Sequence, residues 1–354
     1  MIISEVMRVL INVPKLSNPG GVSVLYNVLK IQDRYNNVEL FQIHSSLPSV
    51  LGYLQKYLEF SRRIKSFDVV HLNPSLNKKS FLRDGIYAYI AKMLGKKVIV
   101  YWHGWENTFE EKIKSTRLLT SIFNHTFRKS ETSIVLGQVF SDKLKDLGYS
   151  NKVIIETNAA ESKYLTSPLS SRSLKGKDCV TLLFISRLQK EKGIYEAIET
   201  LKILNADELK YKLIIAGSGT EEQKVNQLAR EDNNIEFMGY IKSNEKHLAL
   251  LNSDILFFPT YYPEGLPLTI LEGLMYGLPV VSRPVGGIPD IVVNKENGFI
   301  TESKDPIVYA EILQRMVKDD EVYTQISENN INKSFHFTPK LVCERLMSYY
   351  KSVI

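Results

Sequence analysis

TLLFISRLQKEKGIYEAI, residues 181–198, runs from an uninterrupted apolar segment through a charged turn at Gly193 into residues of helical period. An apolar run too short for a helix marks a strand buried on both faces, the environment that a parallel sheet imposes. The same rhythm recurs along the chain. MRVLINV (7–13), DVVHL (68–72), KVIVYW (97–102) and SIVLG (133–137) precede it, while YKLIIAG (211–217), DILFFP (254–259) and PVVSRP (279–284) follow, each alternating with helical-period stretches. Repeated β-α units predict open parallel sheets. The polar, turn-rich TNAAESKYLTSPLSSRSLKGK (157–177) reads as a linker dividing them into two doubly wound α/β domains.

Bulk properties agree with that division. A chain of 354 residues, 44% hydrophobic and 24% charged, has the make-up of a soluble globular protein with material for two cores. Cys179 and Cys343 have neither disulfide-framework nor zinc-site spacing, which suits a reducing cytoplasm. No run of about 18 apolar residues occurs, and Glu5 and Arg8 interrupt the N-terminal apolar stretch, so neither a membrane span nor a signal peptide is expected. The net charge of +6 is unevenly spread: residues 1–165 carry +9 and residues 166–354 carry −3.

Doubly wound sheets bind ligands at the carboxyl ends of their strands, where loops lead into helix N-termini. After the first strand, Gly20 and Gly21 open a helix. Paired glycines let a backbone approach a phosphate or sugar closely, although a strand-to-helix turn would use them equally. Arg187 and Lys192 converge on the strand end before Gly193, as a diphosphate would require; a solvated charge run is the plainer reading of the pair alone. AGSGTEEQ (216–223) has Gly217 and Gly219 but Glu222 where a dinucleotide fingerprint has its third glycine, so it reads as a loop bordering a nucleotide. In YYPEGLPLTILEGLMYGLPVV (261–281), Pro267 suits the first turn of a helix, and Gly265 and Leu266 form a turn exposing the N–H groups of residues 265–269. Glu264 and Glu272 flank that phosphate-binding N-terminus as acceptors for hydroxyls. A sugar-diphosphate-nucleoside offers hydroxyl, phosphate and hydroxyl in that order. His103 ends a first-half strand in VIVYWHGWEN and reads as facing a ligand rather than the core.

Taken together, these residues resemble glycosyltransferase family 4, retaining enzymes of the GT-B fold. The likeness rests on E-x7-E (Glu264 to Glu272), GLPVVSRPVGGIPDIV (277–292), NGFI (297–300), SRLQKEKG (186–193), Gly20-Gly21 and His103, and it covers nearly the whole chain. It implies two Rossmann-like doubly wound domains facing across a cleft: an acceptor domain over 1–165, a nucleotide-sugar domain over 166–336, and a terminal helix in 337–354 crossing back to the first. It also implies that Glu264 contacts the donor sugar, Glu272 the ribose hydroxyls, Arg187 and Lys192 the diphosphate, and His103 a donor-sugar hydroxyl. Loops near Gly217 and Gly239 would read the base, and the Gly20-Gly21 loop would close over the donor.

The expected activity is hexosyl transfer from a UDP- or GDP-sugar to an acceptor hydroxyl with retention at the anomeric carbon. No carboxylate is evidently placed as a nucleophile, so front-face attack assisted by the leaving diphosphate is expected over double displacement. No cofactor and no metal are expected. Residues 51–67 and 78–97 combine aromatic and aliphatic residues at helical spacing with Lys and Arg. Such stretches predict docking on an anionic membrane surface at the inner face of the cytoplasmic membrane, unless their apolar faces cover the sheet instead. With the family's bacterial members as guide, a lipid-linked glycan acceptor in cell-surface polysaccharide assembly is expected, and no nucleic-acid partner. A nucleotide-sugar epimerase of the same fold and a non-catalytic sugar-nucleotide-binding protein are the alternatives. E-x7-E argues against the first, and the presence of both cations against the second.

Overall fold

The computed structural model describes residues 7–18, 20–44, 49–161, 169–206 and 209–354. The chain divides into two compact units, residues 1–159 with 338–354, and residues 160–337. The junction expected at 165–166 lies outside the described residues.

Six parallel strands form the sheet of the first unit: β1 (Val9–Val13), β2 (Val38–Gln42), β3 (Val69–Leu72), β4 (Lys97–Trp102), β5 (Thr132–Val135) and β6 (Lys152–Ile155), in the order β2-β1-β3-β4-β5-β6. The second unit holds β7 (Cys179–Ile185), β8 (Lys210–Ala216), β9 (Ile235–Gly239), β10 (Ile255–Phe258), β11 (Val280–Ser282) and β12 (Gly298–Ile300), in the order β12-β11-β10-β7-β8-β9. Both sheets are doubly wound, but they reverse differently. The second has the Rossmann order, whereas the first has the flavodoxin-type order extended by one strand. Strand order switches between β1 and β3 in the first unit and between β7 and β10 in the second, so the ligand crevices belong at the carboxyl ends of those pairs.

All eight apolar runs form strands, with ends that differ from the runs by at most two residues. The other four strands, β2, β6, β9 and β12, are the sheet edges, and each is partly exposed. β1, β3, β5, β10 and β11 are buried throughout, as strands covered by helices on both faces must be.

Helices α1 (Gly21–Leu29), α2 (Ser49–Arg63), α3 (Lys78–Met93) and α4 (Arg117–His125) belong to the first unit. Asn77 caps α3 by accepting from the Ser80 amide at 3.0 Å. The helix Pro339–Lys351 packs in the same unit, its Tyr350 hydroxyl 2.6 Å from His71 Nδ1 and its Arg345 guanidinium bidentate on Glu156 at 2.7 Å. It begins after a single 3-10 turn, Phe335–Phe337, which lies in the second unit.

In the second unit, α5 (Ser243–Asn252) and α6 (Leu268–Met275) follow β9 and β10. Arg172 donates to the carbonyl oxygens of Tyr276 and Ser253 at 2.6 Å and of Leu251 at 2.9 Å, where α5 and α6 end. A cation among orphan C-terminal carbonyls is favourable, and here it ties the described part of the expected linker onto the second unit.

Candidate functional site

The residues picked out in the second half converge at its switch point. β7 ends at Ile185 and leads through Arg187 to Lys192, while β10 ends at Phe258 and leads through Thr260 to Glu264. Lys192 Nζ donates to Glu264 Oε1 at 2.6 Å, and both side chains are buried. Thr260 Oγ1 donates to the same oxygen at 3.0 Å, so Glu264 Oε1 is doubly engaged while Oε2 has no partner among the described residues. The Tyr262 ring lies 4.1 Å from Lys192 Nζ and 5.4 Å from the Arg187 guanidinium, close enough for both cations to interact with its π face. Burial lowers the Lys192 pKa, Glu264 opposes that shift, and the positive charge of Arg187 adds to it.

Lys192 and Glu264 were expected to meet the diphosphate and the sugar separately. The structure shows them hydrogen-bonded to each other as one buried pair whose charges cancel. Arg187 is left as the cation at the crevice without a carboxylate partner among the described residues.

Glu272 sits in the second turn of α6, its Oε1 held by Lys246 and its Oε2 buried without a partner among the described residues. Pro267 is the N-cap of α6 with an extended backbone rather than a first-turn residue, and it makes no side-chain cap bond. Gly265 accepts from the Gly287 amide at 2.7 Å, which locks the turn that carries Leu266. Of the first-turn N–H groups of α6, Ile270 donates to the Pro267 carbonyl at 3.2 Å, while those of Leu268 and Thr269 lack intrahelical acceptors and point a positive dipole end out of the helix.

Chain packing accounts for several glycines. A Cβ on Gly217 would lie 1.8 Å from the Ser186 carbonyl oxygen, and one on Gly286 would lie 2.1 Å from that of Glu264. These positions bring two loops onto the β7 and β10 ends. Gly239 accepts from the Gly217 amide at 2.7 Å and adopts φ 65°, but a Cβ there would meet nothing within 4 Å.

His103, Gly20 and Gly21 lie in the first unit. Asn73, just past β3, donates from Nδ2 to the Asn12 carbonyl at 2.8 Å, which fixes its amide orientation and makes Oδ1 the acceptor. Oδ1 takes the Tyr26 hydroxyl at 3.1 Å and His103 Nε2 at 2.8 Å. His103 is therefore the Nε2–H tautomer, with Nδ1 left as a lone-pair acceptor. Burial brings its pKa down to about 3, so the ring is neutral at physiological pH. Neither Gly20 nor Gly21 has a neighbour within 4 Å of an added Cβ.

Sequence reasoning missed Thr260, Tyr262, Lys246 and Asn73. Tyr262 alone left a signal, as an aromatic two residues before Glu264 in YYPEG.

The comparisons fit this geometry. Residues 169–333 match the family described as "Glycosyl transferases group 1". The capsular polysaccharide biosynthesis glycosyltransferase CapM of Staphylococcus aureus is 28% identical over 178 residues, covering 48% of this chain and 46% of that protein. The N-acetyl-alpha-D-glucosaminyl L-malate synthase of Bacillus anthracis is 22% identical over 329 residues, covering 89% of this chain and 81% of that protein. The chain spans about half the length of several curated relatives it matches. Among solved structures, Anabaena Alr3699/HepE in complex with UDP has a TM-score of 0.74 at 16% identity, covering 98% of this chain and 100% of that one. The lipopolysaccharide outer core galactosyltransferase WaaB has a TM-score of 0.72 at 16% identity, covering 99% and 100%. The two sheets and these neighbours define a GT-B protein. The match to the group 1 glycosyltransferases lies within the second unit, and the names of the relatives support a transferase enzyme.

Two measurements test the site's physics. Lys192→Met leaves a buried carboxylate without its cation and should lower stability by about 3–5 kcal/mol, while adding Glu264→Leu should restore most of the loss. A urea midpoint unchanged in the single variant would refute the buried pair. His71 and His103 both titrate near 3 when folded against 6.5 ordinarily, so between these values the unfolded chain binds more protons. Stability should fall as pH drops from 6.5 towards 3, and His103→Asn should flatten that slope in urea titrations.

Proposed function

We propose that the protein transfers a sugar from a nucleoside-diphosphate donor to an acceptor hydroxyl in polysaccharide biosynthesis, with retention at the anomeric carbon and without a metal. One observation carries this reading: the buried Lys192–Glu264 pair beside Arg187, at the switch point of the unit that matches the family. Arg187 and the α6 N-terminus would take the charge that develops on the leaving diphosphate. Glu264 Oε2 would accept from a donor-sugar hydroxyl, with Lys192 holding the carboxylate in place. Glu272 Oε2 would accept from the ribose. Gly217 and Gly239 would border the base. In the first unit, His103 Nδ1 is an acceptor for a hydroxyl, and the open space around Gly20 and Gly21 suits close backbone approach. The relative named for capsular polysaccharide biosynthesis and those named for colanic acid biosynthesis support the pathway class.

A lipid-linked acceptor rests on the outer faces of the first unit. On α2, Leu51, Leu54 and Leu58 are exposed, and on α3 so are Ile86, Tyr89 and Met93. Phe60 on α2 and Phe81, Tyr87, Ala88 and Ala91 on α3 are buried, as the plainer expectation has it, while these other apolar residues face solvent. An apolar groove of about 590 Å³ lies between α3 and α4, lined by Leu82, Ile86, Tyr89 and Ile122 among others. Arg62, Lys65, Lys78 and Lys79 form no ion pair among the described residues. Among these residues, no helix is long and apolar enough to cross a membrane. Such a surface would dock peripherally on an anionic leaflet and seat an apolar chain.

Titration calorimetry with UDP and GDP, followed by transfer assays with the matching sugars, tests the donor site. Arg187→Ala should cost about 2–4 kcal/mol in kcat/KM, with wild-type activity unchanged in excess EDTA and the donor's anomeric configuration kept in the product by NMR. Neither nucleotide binding would refute the reading. Liposome flotation should show binding to anionic vesicles that declines with salt, as charges screened beyond about 8 Å lose their reach. Absence of binding at low salt would favour a soluble acceptor.

A further inference from the structure

The first unit contains a pocket of about 260 Å³ at the carboxyl ends of β1 and β3, its own switch point. Asn12, on β1, lines it and is 2% exposed, yet neither its Oδ1 nor its Nδ2 has a partner among the described residues. A buried amide left this way is costly, and native proteins rarely keep one without a use. Two of the neighbouring polar side chains are already committed. Asn73 is held by Asn12's carbonyl, Tyr26 and His103, and Ser80 donates to Asp84 Oδ2 at 2.8 Å.

Charge decides the ligand class. Arg83 grips Asp84 through Nε at 2.8 Å and a terminal nitrogen at 2.6 Å, so these two lining charges cancel. Lys79, the remaining cation, is exposed on the first turn of α3. An anion would find no buried counter-charge there. The amide of Asn12 presents a donor and an acceptor side by side, matching a group that also does both, such as adjacent hydroxyls. Pro14, Val22 and Ile43 supply apolar wall for the C–H face of a ring. The volume is below the usual range for extended ligands, so it suits one ring rather than a chain.

We propose that this pocket binds a single uncharged, polyhydroxylated ring, with Asn12 as its specificity-determining residue. That the ring is the acceptor's terminal sugar rests on the function proposed above; the binding itself does not.

The test uses the full chain saturated with UDP, with free glucose, galactose and N-acetylglucosamine as probes and inorganic phosphate as control, read by saturation-transfer NMR and calorimetry. At least one sugar should bind, and Asn12→Leu should weaken it by about tenfold or more with UDP affinity unchanged. Because leucine removes an unpaired buried amide at similar volume, its Tm should hold or rise. No sugar binding, equal binding by the variant, binding of phosphate alone, or a lowered Tm would each overturn the proposal. Sugar binding that persists while UDP fails to bind would instead overturn the transferase reading and leave this one standing.

Discussion

A lysine and a glutamate 72 residues apart, buried against each other at the ends of β7 and β10, set the conditions for the rest of the second unit. Neither charge could be taken out of water alone. Their pairing lets an apolar sheet carry full charges at its rim, and it requires the loops after both strands to be held to within a hydrogen bond. That requirement explains the tight turns nearby. Gly193 can adopt φ 84° with its α-carbon against the Pro259 carbonyl, and Gly286 can sit against the Glu264 carbonyl, only because neither has a side chain. The pair also hands the positive charge of the crevice to Arg187, whose contact with Tyr262 holds it without neutralising it.

Much of this fold was legible because interior parallel strands are buried on both faces and therefore read as unbroken apolar runs. Each of the eight runs became a strand. The four strands that left no such run are the four edges, where one side of the ladder is open and half the side chains meet water. The E-x7-E spacing located Glu264 and Glu272 for a related reason: a helix N-terminus after a strand is a local feature, written within a few residues. What was not legible was who pairs with whom. Lys192 and Glu264 read as two separate ligand contacts, since nothing in either segment records the other. Thr260, Lys246 and Asn73 had no pattern of their own and acquired meaning only from their neighbours in space. Pro267 shows the smaller limit, a shift of one position between first helical turn and cap.

In the first unit the informative chemistry is a chain of amides and a ring rather than a charge. Asn73 donates to the β1 backbone, and this single bond dictates the tautomer of His103 and leaves Nδ1 as the free acceptor. A neutral imidazole of fixed tautomer is a directional acceptor, not a pH-dependent acid. The same network takes up Asn73 beside Asn12 and leaves the buried Asn12 amide unpartnered among the described residues.

The terminal helix has a consequence for how the molecule is made. His71 and Tyr350 are hydrogen-bonded across 279 residues of sequence, and everything between 160 and 337 belongs to the other unit. In chain terms the second unit is an insertion within the first. The ribosome therefore finishes the second unit before it delivers the helix that completes the earlier one. Until then Tyr26, His71 and Tyr101 lack the aromatic side chain of Tyr350 that closes their cluster, and the first half-made sheet waits with that face uncovered.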